Sequence, residues 1–433
     1  MNWACISIAF TVSFSGVGST LAWGELRSIE HQPNPALPEL IDRLRSNQPD
    51  VRTLASAELE ITAGAGLDPA DAHTLLLAAA DIRNPDDWPV AVELVRAAFS
   101  NKEPGLVQTV RTVFADLLHP AKQEVLSQLS FMPGPTAAPT FITLFTAHAR
   151  DESMTSLPTL GFARAGQPAE AIFPALLAWA DDPRFGSSVY QVCLEYAARG
   201  TISAPLLDRI DPVAVRSFER WNQAQWRGPG AAGWWWSDDY APQRHKLCIL
   251  LSLFGYMGPT QSIAALTNAL TLEDPRLRLF AATALIRRRQ PVDAALLRGL
   301  GAELETRTAL YELLAGLGRL DQFPHEFTAQ QQLAEGDLAR WLCQPGELSG
   351  PPAAMELIKS FPVESGQEEW YLFRYRVQEP HWASDTGWMI GVAGPYGRAQ
   401  PSPRGSGTFS TLQPWTEATA EEFERALRDT AGR

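Results

Sequence analysis

Five tryptophans fall within sixteen residues of "RWNQAQWRGPGAAGWWWSDDYAPQRHKLC" (220–248), at positions 221, 226 and 234–236. Adjacent indoles on a loop present broad, rigid faces with a polar N–H. That suits stacking on a sugar, a base or a proline-rich peptide. Asp238 and Asp239 follow, ready to accept hydrogen bonds from hydroxyls or to pair with an arginine. Trp234, Trp235, Trp236, Asp238 and Asp239 are therefore the candidate binding residues. Trp382, in "EPHWASDTGW" (379–388), joins them. Packing is the competing and favoured reading, because large aromatic residues are mostly buried and a long insertion folds back onto its scaffold.

Catalytic patterns are sparse. The chain has no GxxxxGK(S/T) phosphate loop and no GxSxG elbow. "HEFTA" (325–329) places Ala329 where a zinc-binding HExxH needs its second histidine. Gly16 and Gly18 are followed by Leu21 where a dinucleotide fingerprint needs glycine. His381 and Asp385 would be half of a catalytic dyad, but no nucleophile accompanies them. His245 and Cys248 lie one helical turn apart without a second pair of ligands. The four cysteines (Cys5, Cys193, Cys248, Cys343) match neither zinc spacing nor a disulfide framework, and read as small buried hydrophobes. These patterns assign no catalytic residue, metal ligand or cofactor site.

The elements that must position the tryptophans are helices. From about residue 37 to 360, apolar residues recur at spacings of three and four, and Pro, Gly and Asp punctuate every 12 to 20 residues. "LLLAAADI" (75–82), "PVAVELVRAAF" (89–99), "KLCILLSLFGYM" (246–257) and "RTALYELLAGLGRL" (307–320) are examples. Many short helices joined by short turns predict a helical repeat array. Gly228, Pro229, Gly230 and Gly233 make 221–240 an insertion between such helices. The basic run Arg287–Arg289 reads as a solvated helix C-terminus, where cations are favoured.

Two segments carry a resemblance. "PDVRTLASAEL" (49–59) has Asp50, Val51-Arg52, Ala55 and Leu59, and "EDPRLRLFAATAL" (273–285) has Asp274, Leu277-Arg278, Ala281 and Leu285. Both resemble the second helix of a HEAT repeat. The resemblance implies an all-α, HEAT-like solenoid over 37–360, in which the aspartate caps, the arginine bonds to neighbouring turns and the alanine admits a close helix.

After "FPVESGQ" (361–367) the pattern changes to a small β-plus-α module over 361–433. "EEWYLFRYRV" (368–377) alternates as a half-buried strand. "TGWMIGVAG" (386–394) reads as a second strand broken by Gly391, and "GTFSTL" (407–412) as a third. A closing helix starts near Thr419, where Thr419 and Glu422 make a capping-box pattern. A module this small needs to dock on the last helices.

Composition narrows the function class. The 433 residues carry a net charge of -13 and only four lysines, so broad nucleic-acid affinity is not expected. The uncharged run before Glu25 has an apolar core, Ala4 to Phe14, and small residues Thr20 and Ala22 at a cleavage-like site. Residues 1–22 thus read as an atypical signal peptide, favouring a periplasmic or secreted protein. A cytoplasmic chain with a misassigned start is the alternative. No other run is long enough to span a membrane. The resemblance to HEAT-repeat proteins implies a non-catalytic scaffold or adaptor for a protein or peptide. The alternatives are a HEAT-like enzyme, DNA-glycosylase-like or lyase-like, and a carbohydrate-binding module using the Trp-rich loop.

Overall fold

The computed structural model describes residues 37–150, 154, 157, 161–223, 234–258, 260–344, 347–348, 350–362, 367–376, 387–398 and 401–431. Residues 1–22, Trp382, His381 and Asp385 lie outside the described residues.

The chain is predominantly helical. The first helices are α1 (Leu37–Leu44), α2 (Pro49–Ala65), α3 (Pro69–Ala80), α4 (Trp88–Ala98), α5 (Leu106–Val113), α6 (His119–Phe131), α7 (Ala137–His148) and α8 (Ala169–Leu176). Then come α9 (Gly186–Ala198), α10 (Ala204–Gln223), α11 (Ala241–Phe254), α12 (Thr260–Ala269), α13 (Pro275–Arg287), α14 (Ala294–Ala302), α15 (Leu304–Gly316) and α16 (Gln330–Leu342). Strands β1 (Ala354–Pro362), β2 (Glu368–Arg376), β3 (Trp388–Gly397) and β4 (Phe409–Pro414) follow, and α17 (Glu417–Ala431) closes the chain. Aspartate caps start several helices: Asp68, Asp274 and Asp293 each accept the backbone N–H two residues on, at 2.8–2.9 Å. Of the two repeat-like segments, only the second has its aspartate at the cap. Asp50 lies inside the first turn of α2.

The main helix contacts join elements one or two places apart in the chain, such as α3 with α4, α9 with α11, α11 with α13, α13 with α15 and α15 with α16. A buried apolar cluster runs from Leu37 to Leu285, and a second continues from Leu279 to Leu333. One polar device repeats. The fourth residue of α11, α13 and α15 is an arginine, and each reaches an acid: Arg244 to Asp274 at the N-cap of α13 (2.9 Å), Arg278 to Glu303 at the N-cap of α15 (2.8 Å) and Arg307 to Glu335 within α16 (2.6 Å). No helix among the described residues is long and apolar enough to cross a membrane.

The four strands form one antiparallel sheet in the order β1-β2-β3-β4. Helix α16 covers one face through Ala334, Leu338 and Leu342, packed on Tyr371, Phe373, Tyr375, Met389 and Tyr396. Ala420, Phe423 and Leu427 of α17 cover the other, against Trp370, Leu372, Ile390 and Val392. Leu372 is therefore buried, and β2 has apolar cover on both faces rather than one.

Three further details differ from the sequence-based expectation. Most of strand β1, Ala354 to Ser360, lies within the stretch read as helical. A register shift between Leu357 and Lys359 breaks its alternation: Met355 and Leu357 pack on the α16 side, but Ile358 and Phe361, three residues apart, share the α17 side. Gly391 does not interrupt β3. A Cβ there would stand 2.7 Å from Leu338 Cδ2, so the glycine lets the sheet close on α16. Helix α17 starts at Glu417, close to the expected Thr419, but its cap is not the Thr419–Glu422 pair. Thr416 and Thr419 cap it reciprocally, each hydroxyl accepting the other's backbone N–H at 2.9–3.1 Å.

Candidate functional site

Trp234–Trp236 form a single 3₁₀ turn leading into α11. Such a turn advances about 120° per residue, so the three indoles splay instead of forming one flat platform. All three are half-buried. Trp234 donates from Nε1 to Glu273 (3.0 Å), and its ring lies 4.8 Å from Tyr240 and 6.0 Å, edge-on, from Trp235. The Trp236 ring receives two guanidinium groups, Arg244 at 4.4 Å and Arg276 at 4.8 Å from its centroid. The turn is thus fastened to α11 and α13. The indole N–H groups of Trp235 and Trp236 have no hydrogen-bond partner among the described residues. Asp238 and Asp239 are exposed on the turn that follows.

Beneath Trp236 lies a buried charge cluster. Arg244 holds Asp274 with two bonds, Nε to Oδ2 at 2.9 Å and Nη2 to Oδ1 at 3.0 Å. Glu305 is 6% exposed, and its nearest cation, Arg244 Nη2, is 3.9 Å away. Burial pushes the Glu305 carboxyl up to about 7, against the pull of Arg244 and Arg276. Burial likewise pushes the Cys248 and Cys343 thiols up to about 12, so both stay protonated and are poor nucleophiles. His245 is exposed on α11. The described residues contain no group of three His, Cys, Asp or Glu side chains able to hold a metal ion.

Glu305 gives the fold a pH dependence of defined sign. Its folded pKa of about 7 exceeds the ordinary 4.5, so the folded chain binds this proton more tightly. Its contribution to stability is therefore full at low pH and is lost as pH rises from about 4.5 through about 7, by up to about 1.4 kcal/mol per pH unit. Glu305→Gln should flatten that slope. Urea midpoints at several pH values read it, and an unchanged slope in the variant would remove Glu305 as the cause.

A second feature lies between α10 and α12, where a groove of about 540 Å³ opens. Val215, Phe218 and Ala265 form its buried floor. Arg216, Glu219, Asn222, Gln223, Gln261 and Asn268 line the rim. Four of those six rim residues are carboxamides, each offering both a donor and an acceptor. Arg288 fixes the α12 wall by donating to Ser262 Oγ (2.8 Å) and to the Gly258 carbonyl (2.8 Å). Arg287 stacks on Tyr256 at 4.3 Å. Arg288 is therefore a clasp between helices, while Arg287 and Arg289 are exposed at the C-terminal end of α13, as a solvated helix terminus would have them.

Sequence reasoning brought five of its six candidate residues to one described region, but the tryptophans splay and their rings are largely engaged within the chain. It missed the groove. The available signal was the amide-rich text at the end of α10 and along α12, which also suits any solvated helix face. No protein-family model matches this chain, and no curated protein and no solved structure matches it.

Proposed function

We propose that this chain is a HEAT-like helical-repeat solenoid that binds a protein or peptide partner without catalysing a reaction. The groove between α10 and α12 is its main contact surface. The observation that carries this reading is the groove's make-up, an apolar floor edged by carboxamides and one charge of each sign. An extended peptide matches that chemistry. Its backbone pairs with the amides and an aliphatic side chain fills the floor. The neighbour-to-neighbour helix packing and the repeated arginine-to-acid contacts support the solenoid, because each repeat in such an array leans on the next. Sugar binding on a tryptophan platform has less support, since Arg244 and Arg276 occupy Trp236 and Tyr240 packs on Trp234.

Ala264 and Asn268 are exposed and one turn apart on α12, so arginines there would block the groove without entering the core. Ala264→Arg/Asn268→Arg should reduce recovery of partners from source cells at least tenfold while leaving the melting temperature within about 2 °C. Recovery of the same partners in the same yield would sink the proposal.

A further inference from the structure

Arg276, near the start of α13, is a cation without an acid of its own. It is half-buried, with its guanidinium 4.8 Å from the centroid of the Trp236 ring. An aromatic face attracts a cation but does not neutralise it. Among the described residues no hydrogen bond or ion pair engages this guanidinium. Glu273, three residues earlier, takes the Trp234 N–H instead. Asp274, two residues earlier, gives both oxygens to Arg244. The stretch 224–233 before the tryptophan turn and residues 345–346 after α16 lie outside the described residues, and neither contains Asp or Glu. Burial and the like charge of Arg244 both hold the Arg276 guanidinium below the usual arginine range.

The charges around Arg276 do not balance. Arg244 and Arg276 bring two positive charges, and Asp274 brings one negative charge. Glu305 of α15 faces all three. Glu303, beside it, is paired with Arg278 at 2.8 Å, and the Cys343 thiol facing Glu305 stays neutral. Burial keeps the Glu305 carboxyl protonated up to about pH 7. With that proton bound, the cluster carries one net positive charge. A desolvated charge without a partner is costly, and a counter-ion removes the cost. A guanidinium offers parallel N–H donors that match the two oxygens of a carboxylate, and one negative charge balances one positive. We propose that Arg276, held against Trp236, anchors a binding site for a small monocarboxylate. The ligand and the Glu305 proton should be taken up together. The site is built on α11, α13 and α15, separate from the α10/α12 groove.

Acetate is the test ligand, with chloride at the same ionic strength as the control. Calorimetric titration of the full chain should show acetate binding at pH 6 that weakens about tenfold by pH 8, because a group with a pKa of about 7 passes from mostly protonated to mostly ionised between them. Glu305→Gln should keep the affinity at the higher pH within about twofold of that at the lower. Arg276→Gln should abolish acetate binding at both. It should not lower the melting temperature of the chain alone, since it removes a like charge beside Arg244. No binding up to ~100 mM acetate would overturn the proposal. An equal response to chloride would do the same, since that is a general salt effect. So would acetate binding that survives Arg276→Gln, wild-type binding that ignores pH, or a melting temperature lowered by Arg276→Gln, which would make the guanidinium a structural group.

Discussion

Asp274→Ala should destabilise the fold by about 4 kcal/mol, read as a lower urea midpoint at unchanged slope. Asp274 is 1% exposed and does two jobs. It accepts both bonds from Arg244, and its Oδ1 caps α13 through the Arg276 N–H at 2.9 Å. Losing the cap alone costs about 1 kcal/mol. The larger part comes from stranding a buried guanidinium, with Glu305 3.9 Å away as the nearest remaining acid. Removing both charges while keeping a cap should cost less, because desolvation of the pair disappears with it. Arg244→Met/Asp274→Ser should therefore lose less than half as much as Asp274→Ala. Equal losses would show that the charge pair is not the source.

Asp337→Ala should cost about 3 kcal/mol or more and release the sheet before the helices. This α16 carboxylate is 2% exposed. Its Oδ2 accepts the Tyr396 hydroxyl (2.9 Å), the Thr408 hydroxyl (2.7 Å) and the Gly405 N–H (3.0 Å), and its Oδ1 accepts Arg340 (3.0 Å). Burial pushes the Tyr396 phenol upward, so it keeps the proton it donates. Alanine leaves three donors from the β3–β4 region facing an apolar wall. Other ties remain, among them Arg404 to Glu312 (2.7 Å) and the reciprocal Gln330–Ser402 pair (both 2.8 Å). Hydrogen exchange should therefore rise first across β3 and β4. Protection lost equally in α3 and α4 would mean that the sheet is not a separable unit.

Much of the helical text was legible, because burial of one face imposes its period locally. The run at 89–99 lies within α4 but for Phe99, and the run at 246–257 lies within α11 as far as Phe254. Strand β1 was not legible, since a register shift near Leu357 destroys the alternation that identifies a strand. Gly391 was misread because its role is set by Leu338, 53 positions earlier, and no local pattern reports that approach. The tryptophan turn was half legible. Three adjacent indoles announce a special site, but what engages them comes from Glu273 and Arg276, roughly forty residues downstream. The groove was least legible, because carboxamides on a helix look the same whether they face water or a partner.

We propose that partners bind the α10/α12 groove while the tryptophan turn serves as a clasp. A photo-cross-linking residue placed at Ala264, on the groove rim, or at Asp238, beside the turn, tests this most directly in source cells. Both positions are exposed. Binding in the groove should give a discrete adduct from position 264 and none from 238. An adduct from 238 with none from 264 would contradict it.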